Sequence, residues 1–224
     1  MYQEQFLIQA KWVVILFIII LLLLVKIKNK KIVIKLRIIT IIAFLSLLYA
    51  VFVINQQPEI PKFKEGSIIA PSSGYIGDII QHSDGRVTIM FILSFIDNHV
   101  QYIPYPGKII SDKYYQSKYL RPTRTFTLQP TLFPNYEKSI EDNEQIQTQL
   151  LTNNGIIKIT RIAGIIAPRV FSYINENAIV KQGDVMGLIV FSSMVLMELP
   201  AGINLRIKKG DHAIAGETIV GVYN

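Results

Sequence analysis

The stretch Met186–Pro200, MGLIVFSSMVLMELP, is two apolar runs of strand length separated by a pair of serines, Ser192 and Ser193. Hydroxyls are costly to bury within a sheet unless something pairs with them. On its own, a serine pair between Phe191 and Met194 reads as a bulge or a sheet edge. Outward from it the same texture recurs. Ser67–Ile80 (SIIAPSSGYIGDII), Gly85–Leu93 (GRVTIMFIL), Gly155–Ile166 (GIIKITRIAGII), Gly183–Phe191 (GDVMGLIVF) and Asn204–Ile207 (NLRI) are short apolar runs bounded by Gly, Pro, Asn and Asp. They lack a sustained helical period and predict strands. His82–Arg86 (HSDGR) places Asp-Gly between two such runs, a hairpin signal. Arg121–Lys138, with three prolines, predicts a long surface loop, and Glu141–Leu151 suits a short helix or a strand. Val180–Gly187 (VKQGDVMG) and Ile207–Glu217 (IKKGDHAIAGE) resemble each other, each a strand, a Gly-Asp turn and a new strand. The expected fold is mainly β, a compact domain with lipoyl-like, barrel-sandwich features.

The 224 residues are 50% hydrophobic with a formal charge of +7, and the charge is concentrated near the N-terminus. Lys11, Lys26, Lys28, Lys30, Lys31, Lys35 and Arg37 face a single acid, Glu4, within residues 1–54, so the rest is nearly neutral. That distribution argues against a nucleic-acid binder, whose positive charge would lie on the folded domain. The absence of cysteine excludes disulfides, thiol catalysis and Cys-ligated metals. No metal-ligand cluster or phosphate loop stands out, and no metal is expected. Trp12–Val25 and Ile38–Ile54 are apolar and flank the basic KIKNKKIVIKLR segment. They predict a two-segment helical membrane hairpin over 1–54 with its basic loop in the cytoplasm, hence an integral membrane protein. Pro58 and Pro61 mark residues 55–66 as a linker, and the β domain spans 67–224.

Four stretches, taken in order, resemble the phosphatidylserine decarboxylase family. Gln57–Ile76 (QPEIPKFKEGSIIAPSSGYI) is similar to its Pro-Glu segment and following (S/A)PADGxV motif. Phe91–Ile109 (FILSFIDNHVQYIPYPGKI) is similar to FLSPFDVHVNRAPxxGxV. Ile159–Ile174 (ITRIAGIIAPRVFSYI) is similar to VxQIAGxIARRIxxYV. Val180–Pro200 is similar to VxxGxxxGxIxFGSRVDxYLP. The apolar segments in front resemble the short membrane-bound members.

The resemblance implies a role for the serine pair. The Ser193 hydroxyl would attack the carbonyl before it, and elimination from the resulting ester would cut the chain between Ser192 and Ser193. The second product would begin with a pyruvoyl group, the covalent cofactor. Its carbonyl would act as electron sink for loss of carbon dioxide from phosphatidylserine in the membrane, giving phosphatidylethanolamine. The self-cleaved chains would form a heterodimer, itself open to homo-oligomer formation. His99 matches the motif histidine and would be the general acid/base. Asp97 matches the motif Asp, and Arg169 and Phe191 are candidates for supporting substrate or site.

Two positions depart from the family pattern: Ser192 stands where the family has Gly, and Ser73 where PADG has Asp. Asp78 and Asp84 are the nearby carboxylates that could replace the latter. His82 and His212 fall in predicted turns and read as surface residues, and Tyr102 holds a position where some relatives carry a second histidine. Two other readings are a decarboxylase-like lipid-binding protein that never self-processes and a membrane-anchored lipoyl-like adaptor. The adaptor lacks a modifiable lysine at the expected hairpin tip.

Overall fold

The computed structural model describes residues 15, 17–20, 30–54, 66–94, 97–116, 123–124, 131–132, 136–164, 170–189 and 194–223. The chain divides into two compact units, Met1–Gln56 and Gln57–Asn224.

In the first unit, helix α1 runs Lys30–Ile54. Phe17 stacks on Phe44 with ring centroids 4.0 Å apart, and Ile20, Ile39, Ala43 and Leu47 line a cavity beside that pair. The expected hairpin of two membrane spans is not supported. Among the described residues no helix is long and apolar enough to cross a membrane. The reason lies in how α1 is divided. Lys30, Lys31, Lys35 and Arg37, expected in a loop, occupy its N-terminal turns. The apolar remainder, Ile38–Ile54, is about 25 Å long at ~1.5 Å per residue, at the short end of what a span requires. Most of Trp12–Val25 lies outside the described residues.

The second unit is mainly β. Its strands are β1 (Ser67–Ile69), β2 (Gly74–Gln81), β3 (Val87–Ile92), β4 (Val100–Tyr102), β5 (Gly107–Tyr115), β6 (Thr123–Arg124), β7 (Thr131–Leu132), β8 (Gln145–Thr152), β9 (Gly155–Ile162), β10 (Val170–Ser172), β11 (Ile179–Val180), β12 (Val185–Ile189), β13 (Met194–Leu199), β14 (Ile203–Leu205), β15 (His212–Ala213) and β16 (Ile219–Tyr223). A short helix α2, Tyr136–Asp142, precedes β8, which resolves the helix-or-strand ambiguity of Glu141–Leu151. An eight-stranded antiparallel sheet has the order β11-β5-β8-β9-β13-β3-β2-β15, and two three-stranded sheets have the orders β10-β12-β4 and β1-β16-β14.

The central strands are apolar on both faces because both faces are covered. Ile89 and Phe91 of β3, with Val195 and Met197 of β13, enter the main core. Met90, Ile92 and Met194 form a second cluster on the other face, against Tyr136 and Ile140 of α2. This gives runs such as VTIMFI rather than strict alternation. The Asp84-Gly85 turn joins β2 to β3, with the His82 N–H donating to the Arg86 carbonyl at 2.9 Å and Gly85 at φ 83°.

The two similar segments fold alike. Asp184 accepts the Lys181 N–H at 2.7 Å, and Asp211 accepts the Lys208 N–H at 2.9 Å. Gly183 and Gly210 have φ of 85° and 90°, the left-handed conformation that glycine adopts without strain. The Gly183 N–H donates to Ile103 and the Gly210 N–H to Ile76, each at 2.9 Å. In return the Asp184 and Asp211 carbonyls accept the N–H of Ile103 and Ile76, each at 2.8 Å. One strand–turn unit is thus used twice.

Candidate active site

The strand registers connect the described residues that flank three short segments. β12 ends at Ile189, which pairs with Val170 of β10, and its N–H donates to the His99 carbonyl at 3.1 Å. β13 begins at Met194, opposite Ile92 of β3 and Ile162 of β9. The chain on either side of 190–193 is therefore anchored to the chain on either side of 95–96 and of 165–169. Ser192, Ser193, Phe191 and Arg169 themselves lie outside the described residues.

His99 is fully buried. Its Nδ1 lies 2.6 Å from the Asp97 carbonyl oxygen. A carbonyl only accepts, so Nδ1 carries the proton, and in the neutral ring Nε2 carries the lone pair. Burial holds the imidazole below its ordinary pKa, against the opposing pull of Asp97, so the ring is neutral at pH 7. Gln101 donates its side-chain amide to the His99 carbonyl. A buried, neutral imidazole with a fixed tautomer suits a proton acceptor.

Asp97 is a junction. Its backbone carbonyl holds His99, its Oδ2 accepts the Ser94 N–H at 2.7 Å, and its Oδ1 meets His212 Nε2 at 2.8 Å. Burial raises the Asp97 carboxyl, but the bonds from His212 and Ser94 outweigh it and hold the group below its usual range. The Asp97 bond raises the His212 imidazole above its ordinary pKa, against partial burial. His212 also meets the Tyr75 ring edge-on, with centroids 4.7 Å apart. His212 is thus not the ordinary surface residue its turn position predicts. A signal was present in the internal repeat, where Val185 follows the first Gly-Asp turn and His212 follows the second. The His82 ring is unlike it, meeting the Thr88 hydroxyl at 2.8 Å on the hairpin.

Ser73 is buried, and its hydroxyl accepts the Ala215 N–H at 2.9 Å. The neighbouring Pro71 carbonyl accepts the Tyr102 N–H at 2.9 Å, linking this segment to β4. Burial pushes the Tyr102 phenol up to about 12, against a bond from Asn98, so it stays protonated. The two carboxylates considered as replacements for the absent Asp are engaged elsewhere. Asp78 pairs with Lys209 at 3.1 Å, and Asp84 pairs with Arg86 at 2.7 Å in the hairpin turn.

Two residues without a distinctive sequence signal flank the 165–169 segment. Asn143 donates to the Ala163 carbonyl at 2.9 Å, and the buried Glu144 accepts the Val170 N–H at 3.1 Å. Behind the site, Arg161 of β9 is fully buried and ties the sheets together. Its Nη2 reaches Asp112 of β5 and Thr148 of β8, each at 3.1 Å. Its Nη1 donates to the Phe171 carbonyl of β10 at 3.1 Å and to the Met186 carbonyl of β12 at 3.4 Å. Among the described residues no group of His, Asp and Glu has the arrangement of a metal site.

Comparison with known proteins places this arrangement in a family. The family model described as phosphatidylserine decarboxylase matches residues 56–221. A phosphatidylserine decarboxylase proenzyme of Streptomyces avermitilis is 29% identical over 154 residues, 69% of this chain and 66% of the relative. One from Geotalea uraniireducens is 28% identical over 181 residues, 78% of this chain and 79% of the relative. A Methanosarcina mazei protein, provisionally named an archaetidylserine decarboxylase proenzyme, is 32% identical over 153 residues, 68% of this chain and 65% of the relative. Against the Streptomyces relatives the match spans just under two thirds of their length. No solved structure matches the chain. The chain belongs to the phosphatidylserine decarboxylase family.

Proposed function

We propose that this chain cuts itself between Ser192 and Ser193 and decarboxylates a serine-headed membrane phospholipid. The observation that carries the reading is the hydrogen bond from Ile189, where the strand before 190–193 ends, to the His99 carbonyl. It stands beside relatives whose names include both decarboxylase and proenzyme.

The residues present fit a pyruvoyl group, because Ser193 has the hydroxyl from which one is made. Bound in the chain, such a group supplies an electron sink for loss of carbon dioxide. The protein's part is to hold and move protons. With Nδ1–H donated to the Asp97 carbonyl, His99 Nε2 is the basic nitrogen. It would take the Ser193 hydroxyl proton as that oxygen attacks the Ser192 carbonyl, and later protonate the carbon that has lost its carboxylate. Burial keeps the imidazole neutral and ready to accept. With Ser73 in place of the family Asp, the Asp97 backbone carbonyl orients the His99 ring. Arg169, beside Val170 in sequence, and Phe191 remain candidates for contacting the lipid phosphate and acyl region.

The lipid would be met at a membrane surface. Ile34, Ile38, Ile39, Ile42 and Leu45 of α1 are exposed, and Lys30, Lys31, Lys35 and Arg37 share that helix. Exposed apolar surface with nearby cations suits an anionic interface. An adaptor role has no support in the family match, and an unprocessed lipid binder is the outcome that the test below separates.

The test is the chain purified from its membrane. The proposal expects a fragment of residues 193–224 whose blocked N-terminus resists Edman degradation, and turnover of phosphatidylserine to phosphatidylethanolamine. Ser193→Ala should abolish both. A wild-type chain of full mass, inert toward phosphatidylserine, would overturn the proposal.

A further inference from the structure

We infer that His212 is a positioning residue that, through Asp97, fixes the loop presenting His99. The inference rests on the role of His99 proposed above, but its geometry is independent of the cut. Loop 94–99 joins β3 to β4, and bonds on Asp97 shape its described part, among them its N–H to the Ser94 carbonyl at 3.3 Å and the three that follow. The carboxylate accepts the Ser94 N–H at 2.7 Å, the backbone carbonyl takes the His99 Nδ1 proton at 2.6 Å, and Oδ1 meets His212 at 2.8 Å. The first two lie within the loop. The third ties it to the edge of the eight-stranded sheet, where His212 pairs with Tyr75 in register. Without it the loop loses its side-chain anchor to β15, and the carbonyl that selects the His99 tautomer is held by bonds within the loop alone.

The Asp97 side chain is 6% exposed and that of His212 38%. The loop end is thus inside the protein and its anchor reaches solvent. The pair therefore couples a buried base to bulk pH. Charged and titratable groups on the elements around His212 are Asp97 and His99 from the loop, Asp78 and Tyr75 on β2, Lys208, Lys209 and Asp211 in the preceding turn, and Glu217 beyond β15. Of these, Lys209 is paired with Asp78, and the Asp211 carboxylate accepts the Lys208 N–H. Asp97 is the group hydrogen-bonded to the His212 ring. The neutral state of His212 keeps one N–H to donate but loses the charge that strengthens the bond.

The experiment has two readouts. In full-length S193A protein in detergent, with ¹⁵N-labelled histidine, His99 should show a single Nδ1–H tautomer, and His212 should titrate above about 6.5. H212A should replace the single His99 tautomer by a mixture, and H212K should retain it across the pH range in which His212 titrates. In the cleavable chain, H212A should slow appearance of the 193–224 fragment roughly 10-fold, part of the roughly 10²–10⁴-fold that positioned proton transfer contributes. H212K should cleave with no dependence on pH from His212. If H212A fails to fold, H212V, which has no donor for Asp97, replaces it and carries the same expectation. An unchanged His99 tautomer in H212A, together with an unchanged cleavage rate and pH profile, would overturn the inference while leaving the cut intact. A wild-type chain that never cleaves would instead overturn the proposed function, and the tautomer would still decide whether His212 positions His99.

Discussion

Asp112→Ala should cost more stability than any exposed substitution in the β unit, because it strands a charge. Arg161 is fully buried, and the Asp112 side chain is 8% exposed. Burial pulls the guanidinium down to about 10, and Asp112 opposes that pull, so Arg161 remains charged at pH 7. Its other partners are neutral: the Thr148 and Ser172 hydroxyls and two carbonyls. Removing the carboxylate leaves a desolvated cation with dipoles alone, a situation that costs roughly 3–5 kcal/mol. The Thr148 hydroxyl, which donates to Asp112 at 2.6 Å, loses its acceptor as well. For a unit of this size the loss corresponds to a fall in Tm of roughly 6–20 °C. The assay is urea unfolding of full-length S193A protein in detergent, comparing D112A, R161M and the double variant. Removing both charges takes away the desolvation penalty with the attraction, so the double variant should be at least ~2 kcal/mol more stable than D112A. A D112A cost below about 1 kcal/mol, or a double variant as unstable as the sum of the singles, would refute the reasoning.

Two further outcomes are expected. Stability should be greatest near pH 6.5, the ordinary histidine value. The folded pKa of His99 is lowered by burial, so stability falls as pH drops below that value; that of His212 is raised, so its contribution, about 1 kcal/mol or less for a part-exposed pair, is full below it and lost as pH rises through the folded pKa. Chemical denaturation across pH checks this: H99Q should remove the acid limb and H212Q the alkaline one. After processing, the 193–224 fragment should co-elute with the larger chain on native gel filtration and separate only in denaturant.

The sequence revealed strands where burial made them apolar, and it failed where a residue's meaning depends on a distant partner. VTIMFI and MVLMEL are legible as strands because both faces are covered and little polar interrupts them. Gln145–Thr152 alternates polar and apolar residues beside a short helix, so composition alone left it ambiguous. At the N-terminus the lysines suggested a loop, yet long aliphatic stems tolerate helix, and α1 runs through them. His99 and Asp97 were found through a local motif. His212 was not, because its partner is 115 residues away and its own neighbourhood is a turn. Arg161 gave no sign of being buried for the same reason: its counter-ion lies 49 residues away on another strand.

The proposed cut coincides in sequence with a change of sheet. β12 lies in the middle of one three-stranded sheet and β13 within the eight-stranded one, so the chain between them must pass from one to the other. A bond inside a ladder would have its amide and carbonyl fixed by neighbouring strands, and an acyl shift requires that peptide to distort. The described ladders end at Ile189 and resume at Met194, with the serine pair between them in sequence. On the far side, β13 is paired with β3 over Met194–Leu199 and with β9 over Met194–Glu198, and β16 is held between β1 and β14. Cleavage at Ser192–Ser193 would therefore free one covalent link while leaving those ladders in place. The new terminus would lie one residue before β13 in sequence. A cut within Val185–Ile189 or Met194–Leu199 would instead break a strand. Here the chemistry and the fold make compatible demands on the same peptide.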